Sequence, residues 1–127
     1  MKRLLRAFLY SCLLAVISLL SVSMLWNEPA LLAGILAIVS ALMLLVWRSR
    51  EDILTYFICG ITGALAESFA IGFGAWTYAF PNIMRVPYWL PFLWGIAALF
   101  MKRISVEVHD FVRNRRSYSL AEIKSKI

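Results

Sequence analysis

Residues 60–78 read GITGALAESFAIGFGAWTY, a run of small and apolar side chains interrupted by one carboxylate, Glu67. The whole chain of 127 residues is 62% hydrophobic and 16% charged, whereas soluble domains contain roughly 45 to 50% apolar residues. This excess predicts a protein that lies in a lipid bilayer, and the length allows one compact domain.

Four apolar segments approach the roughly 20 residues that a helix needs to cross a bilayer. They cover residues 4–26, 30–47, 53–74 and 86–101. The fourth is the shortest, and Pro87 and Pro91 remove backbone donors near its start, so we expect that start to be irregular. The sequence predicts an all-α, polytopic membrane fold with four transmembrane helices.

The first segment has an alternative interpretation as a secretory signal, because Ser21-Val22-Ser23 offers a small-residue cleavage site. Its apolar run is longer than the roughly 7 to 15 residues of a signal core. This length favours a retained membrane helix.

The basic residues predict the orientation. If the amino terminus is cytoplasmic, Arg85 is the one outside among 13 Lys and Arg residues, and the other 12 lie inside. We therefore expect both termini in the cytoplasm and a bacterial inner membrane as the location. The net charge of +6 then fits anionic head groups and no nucleic-acid partner.

The carboxyl-terminal residues differ in composition from the apolar segments. We divide the chain into a four-helix transmembrane domain, residues 1–106, and a basic cytoplasmic tail, residues 107–127. Within the tail, Ser119 and Glu122 match a capping box. This predicts a short amphipathic helix that lies on the inner membrane surface or docks on a partner, and a frayed cytoplasmic peptide is the alternative.

The sequence offers few parts for metal, cofactor or catalytic chemistry. Cys12 and Cys59 form no Cys-x-x-Cys motif, and His109 is the single histidine. We predict no metal site, no cofactor and no catalytic residue.

Glu67 shares a helix face with small residues. They recur at steps of three or four and are Gly60, Gly63, Ala64, Ala70 and Gly74. A small-residue face lets another helix approach closely, and a carboxylate facing lipid near the bilayer centre costs about 3 kcal/mol. We therefore expect helix packing at this face, with Glu67 pointing to another helix, to a second copy or to another membrane subunit.

The contact partner of Glu67 is expected in the outer half of the bilayer. Glu67 follows Ile53 by 14 residues, or about 21 Å of helix. Arg85 is the first candidate for an ion pair, and we expect residues 81–94 to fold partly back over the third helix, an ordinary aromatic belt being the alternative. The other candidate ligand or contact residues are Ser68, Trp76, Tyr78, Asn82, Tyr88, Trp89 and Trp94.

A sequence pattern combines the carboxylate with the glycine, aromatic and proline residues that follow it. The pattern comprises Glu67, Gly74, Trp76, Tyr78, Pro87, Trp89, Pro91 and Trp94. It resembles small bacterial inner-membrane proteins of unknown function. The chain is also similar to small multidrug exchangers in carrying one intramembrane Glu, although theirs lies in the first helix.

Three functional classes follow from these features. The first is a non-enzymatic subunit or packing component of a larger membrane assembly. The second is a proton-coupled transporter or a binder of a cation or lipophilic ligand, which would use Glu67. The third is an isoprenoid- or lipid-modifying enzyme with Glu67 as general acid and Arg85 as anion holder.

Overall fold

The computed structural model describes residues 2–126, with the backbone alone described for residue 4. Within this range the chain forms four α-helices, α1 (Lys2–Leu25), α2 (Pro29–Trp47), α3 (Arg50–Gly72) and α4 (Leu90–Ser125), which confirms the all-α prediction. The helical stretches Leu5–Leu25, Pro29–Trp47 and Arg50–Gly72 are long and apolar enough to cross a membrane. They indicate an integral membrane protein in contact with lipid. The predicted domain boundary at residue 106 stays a prediction, and the outer ends of both domains, Met1 and Ile127, lie outside the described residues.

A two-residue turn joins α2 to α3. Arg48 adopts a left-handed conformation with φ of 45°, and its N–H donates to the Leu44 carbonyl. Ser49 then caps α3, since its hydroxyl oxygen accepts from the Asp52 N–H at 3.0 Å. Together these two residues end one helix and start the next, so the chain reverses direction at once.

Glycines bring α3 and α4 together in the most extensive contact between the described helices. A Cβ placed on Gly60 would lie 2.8 Å from the Pro91 carbonyl oxygen, and one on Gly95 would run into the Tyr56 ring. The Tyr56 hydroxyl donates to Ser40 Oγ on α2 at 2.6 Å. Small residues thus let the two backbones approach closely, and a buried hydrogen bond fixes the pair to α2.

The first turn of α4 lies beside the middle of α3. Pro91 meets Gly60, whereas Lys102 meets Asp52 near the start of α3. The carboxyl-terminal half of α3 therefore contacts the non-helical connector, residues 73–89, together with the start of α4. The irregular start expected for the fourth segment is present, because α4 begins four residues later than that segment does.

A tight hairpin forms within this connector. The N–H groups of Ile83 and Val86 each donate to the other residue's carbonyl, at 3.0 and 2.9 Å. Met84 and Arg85 at the tip have φ of 48° and 70°, the left-handed pair that usually requires Asn and Gly. Each such residue costs on the order of 1–3 kcal/mol. The Ser68 hydroxyl on α3 donates to the Met84 carbonyl and holds the tip in place.

Two expectations for helix ends are corrected by the structure. Gly74 does not pack in a helix face: it is exposed, has φ of 82° and follows the end of α3, because its left-handed conformation terminates the helix. The helix start indicated by the capping box at Ser119 is not formed either, since α4 runs on through this residue to Ser125 and the tail is helical as part of α4. No Gly or Pro follows Gly95, so no residue with strong helix-breaking tendency interrupts α4.

The rest of the predicted small-residue stripe lies along α3. Gly60 and Ala64 are buried, and Gly63 and Ala70 are half-buried. Gly60 and Gly63 both face α4, where they leave room for Pro91 and Trp94 respectively. This part of the stripe serves packing within the chain.

Candidate functional site at Glu67

The Glu67 carboxyl group joins three segments of the chain. The Tyr78 hydroxyl from the connector donates to Oε2, and the indole N–H of Trp94 from α4 donates to Oε1 at 2.6 Å. Each oxygen of the side chain therefore accepts one hydrogen bond from a neutral donor. We call this group of three residues the Glu67 clamp.

Gly63 makes the indole contact possible. It lies one turn before Glu67 on α3, and a Cβ at this position would run into the Trp94 ring. The indole therefore occupies space that any other residue type would fill. This glycine is needed for close approach and for no unusual backbone angle, since it lies within the helix.

Tyr78 is fixed on its other side by an aromatic contact. Its ring lies edge-to-face with Trp89, with 6.0 Å between centroids, and Trp89 is buried. Burial raises the pKa of the Tyr78 hydroxyl, and the hydrogen bond to Glu67 raises it further. The phenol is thus neutral near pH 7, and its O–H group donates a hydrogen bond to the carboxyl oxygen.

Arg85 is not the partner of Glu67, which corrects the first expectation for this site. The carboxyl oxygens are taken by Tyr78 and Trp94. The hairpin carries the Arg85 guanidinium to the end of α3, where its Nη1 would lie 2.7 Å from a Cβ on Gly72. A cation is favourable there, because the carboxyl end of a helix carries partial negative charge.

The remaining candidate residues shape the connector around the clamp. Asn82 Oδ1 accepts from the Tyr88 N–H at 3.4 Å, while Ser68 holds the hairpin as described above. Trp76 is 46% exposed, and among the described side chains it makes no hydrogen bond to Glu67. The structure therefore brings Glu67, Tyr78 and Trp94 together, with Trp89 behind them. A ligand-binding role for any of these residues stays a prediction.

A second polar cluster lies at the opposite end of α3, and sequence reasoning missed it. Asp52 is 1% exposed, accepts from Lys102 Nζ at 2.9 Å and is also paired with Arg103. The Arg103 guanidinium lies 3.5 Å above the centre of the Trp47 ring. Burial lowers the pKa of Arg103, and the Asp52 charge opposes this shift.

A signal for this cluster was present in the sequence. Asp52 opens the third apolar segment, and Lys102 and Arg103 directly follow the fourth. Because consecutive spans run in opposite directions, these residues lie at the same depth. Matching charges by depth at both ends of the predicted helices would have paired them.

The chemistry available at the clamp is limited to what one carboxyl group and two neutral donors provide. Among residues 2–126, no group of three or more His, Cys, Asp or Glu side chains lies close enough to hold a metal ion. The arrangement can fix the relative positions of α3, the connector and α4.

Fold and site together define the class: a small, all-α integral membrane protein with a polar clamp between two helices. No family model, curated protein or solved structure matches the chain. The resemblance to small bacterial inner-membrane proteins therefore stays a prediction from the residue pattern.

Proposed function

We propose that the protein is a non-enzymatic component of a larger membrane assembly, in which the Glu67 clamp keeps α3 and α4 in a fixed arrangement. This proposal is supported by the hydrogen bonds of Glu67: both of its carboxyl oxygens accept from within the chain, from Tyr78 and Trp94. A group satisfied in this way stabilises a helix contact. It has fewer free positions for a proton or a substrate.

The outward face of α2 supports association with another membrane helix. Small residues recur there at steps of three or four, opposite the buried face of Leu32, Leu36 and Met43. They are Ala30, Gly34, Ala37 and Ala41. A Cβ on Gly34 would have no atom of the described chain within 4 Å. Such a face is typical of close helix association in lipid.

We also propose that the chain crosses a bacterial inner membrane four times, with both termini in the cytoplasm. The three candidate spans account for α1, α2 and α3. For the fourth crossing, the hairpin and the first 12 residues of α4, 90–101, together extend along α3 from its outer end to Asp52. Part of the hairpin backbone is paired, since the N–H groups of Asn82, Ile83 and Val86 and the Met84 carbonyl have partners, which favours its placement at membrane depth.

The enzyme and transporter alternatives have less support. An enzyme would use Glu67 as general acid, and both of its carboxyl oxygens already accept hydrogen bonds from Tyr78 and Trp94. For a transporter, Glu67 would have to release Tyr78 or Trp94 to take up a cation. Neither alternative is favoured by a specific contact.

The test is the size of the protein after mild detergent extraction, compared between two small-to-large variants. Gly34→Leu fills the open face of α2, and Ala66→Leu places the same side chain at an exposed position of α3. We expect the unmodified chain to migrate as a homo-oligomer or with other subunits. Gly34→Leu should reduce it to the monomer, and Ala66→Leu should not.

Two outcomes contradict the proposal. One is an unmodified chain that is monomeric in every mild detergent. The other is a Glu67→Gln variant that assembles normally but loses proton-coupled uptake of a cation, which would support transport instead.

A further inference from the structure

A second feature, separate from the clamp, is an apolar groove along the seam between α3 and α4. Its outer part, about 190 Å³, is lined by the hairpin, by Pro87 and Tyr88, and by Ile61, Leu65 and Ser68 of α3. Its inner part, about 290 Å³, is lined by the residues Tyr56, Phe57, Gly60, Ile61, Pro91 and Phe92.

The two parts adjoin along α3. Both are bordered by Ile61 and Pro91, and both are open to the surroundings of the protein. From Ser68 to Tyr56 the groove follows 12 residues of α3, which corresponds to about 18 Å. This length and these apolar walls fit an extended hydrocarbon chain.

A cation lies at the outer end of this groove. Ile61, Leu65, Ser68 and Gly72 share one face of α3, because they recur at steps of three or four. The Arg85 guanidinium lies over Gly72, one turn beyond the groove wall at Ser68. Among the described side chains, Arg85 has no acidic partner.

The hairpin geometry keeps the cation at this position. Met84 borders the groove, and its carbonyl is held by the Ser68 hydroxyl. The two left-handed residues at the tip turn Arg85 back onto α3. A strained turn without Gly thus holds the Arg85 guanidinium over Gly72, next to the end of the groove.

We propose that this groove binds one anionic phospholipid, with its phosphate at Arg85 and one acyl chain between α3 and α4. The kind of ligand follows from the two components of the site, the apolar groove and the Arg85 guanidinium. The apolar groove accepts a hydrocarbon chain. The guanidinium, which has no acidic partner among the described side chains, favours a phosphate head group with net negative charge over one whose phosphate is neutralised by its own ammonium group. The inference does not depend on the Glu67 clamp or on assembly.

The test measures lipid binding to the purified full chain by native mass spectrometry in detergent. The probes are dioleoyl phosphatidylglycerol, which is anionic, and dioleoyl phosphatidylcholine, which has the same chains and no net charge. Arg85→Gln removes the charge, Arg85→Lys keeps it, and Arg116→Gln is the matched neutralisation at an exposed position of α4. Ile61→Trp fills the groove, and Ile58→Trp is its control, since Ile61 and Ile58 are 56% and 57% exposed.

We expect one phosphatidylglycerol to bind about fivefold more tightly than phosphatidylcholine, the ratio that one cation at a membrane surface provides. Arg85→Gln should abolish this ratio, while Arg85→Lys and Arg116→Gln keep most of it. Ile61→Trp should weaken binding of both lipids, and Ile58→Trp should not. Equal binding of the two lipids to the unmodified chain would overturn the proposal, as would equal losses in Arg85→Gln and Arg116→Gln.

Discussion

The indole nitrogen of Trp94 lies 2.6 Å from Oε1 of Glu67, and the ring reaches this position across the bare backbone of Gly63. A contact between side chains 27 residues apart therefore depends on the absence of a third side chain. The same contact anchors the start of α4 to the middle of α3, where the connector ends.

The first prediction concerns Gly63→Ala. The added methyl group meets the Trp94 ring, so the indole must move and its bond to Glu67 is lost. We expect the free energy of unfolding to fall by about 1–3 kcal/mol, as is usual when a packed contact is overfilled. Thermal unfolding in detergent, followed by tryptophan fluorescence, measures this change.

Gly34→Ala is the matched control, because the same methyl group meets no atom of the described chain within 4 Å. Both variants are compared as detergent-solubilised monomers, since Gly34 lies on the face of α2 that we propose for association. A helix-interior alanine should stabilise the chain by roughly 0.5–1 kcal/mol. If the two variants unfold at the same temperature, Gly63 is not needed for the indole contact.

The second prediction separates hydrogen bonding from charge at Glu67. Glu67→Leu leaves the hydroxyl of Tyr78 and the N–H of Trp94 without their acceptor, and we expect a loss of about 1–3 kcal/mol of stability. Glu67→Gln keeps an oxygen for the indole and an amide group that can donate to the tyrosine hydroxyl, so its loss should be smaller. Chemical unfolding in detergent ranks the two variants, and an equal loss would show that the charge itself holds the clamp.

The third prediction concerns the cluster at the other end of α3. Asp52→Ala removes the acidic partner of both Lys102 and Arg103, and Arg103 stays partly buried against Trp47. Breaking a buried ion pair from one side typically costs about 3–5 kcal/mol. We expect a large fall in thermal stability and poor recovery from the membrane.

Glu51→Ala is the control for this cluster. Glu51 lies 3.8 Å from Lys102, but its side chain is 87% exposed, and exposed ion pairs contribute little. If Glu51→Ala lowers the thermal stability as much as Asp52→Ala does, the net charge at this end of α3 determines the stability, and the buried contact does not.

The helices were predictable because their signals are local. The apolar lengths, together with Pro29 at the first turn of α2, bounded α1, α2 and α3 to within a few residues. The end of α3 and the extent of α4 were harder to predict from the sequence. A capping box at Ser119 is a start signal only if the preceding helix stops, and no residue after Gly95 stops it.

The site was predictable in part, because its key contacts join distant segments. The small-residue face predicts that Glu67 points toward protein, and its carboxyl group contacts Tyr78 and Trp94, which were among the named candidates. The choice of Arg85 as the partner of Glu67 was wrong because opposite charges in a sequence do not determine which way each side chain points. The direction of Arg85 is set by two left-handed residues at the hairpin tip, a conformation that neither Met nor Arg indicates in a sequence.

The fourth prediction tests the number of membrane crossings. Thr77 lies in the exposed connector and Ser117 in the exposed part of α4. If α4 crosses with the hairpin, these positions face opposite sides of the membrane. If α1, α2 and α3 alone cross, both positions face the same side.

Thr77→Cys and Ser117→Cys, made in a background with Cys12 and Cys59 replaced by Ala, distinguish the two topologies by labelling with a membrane-impermeant maleimide. Because 12 of the 13 basic residues lie at the end opposite Arg85, we expect Thr77→Cys to react in intact cells and Ser117→Cys to react after lysis. Reaction of both variants in intact cells would contradict the four-span topology, and with it the placement of the hairpin in the outer half of the membrane.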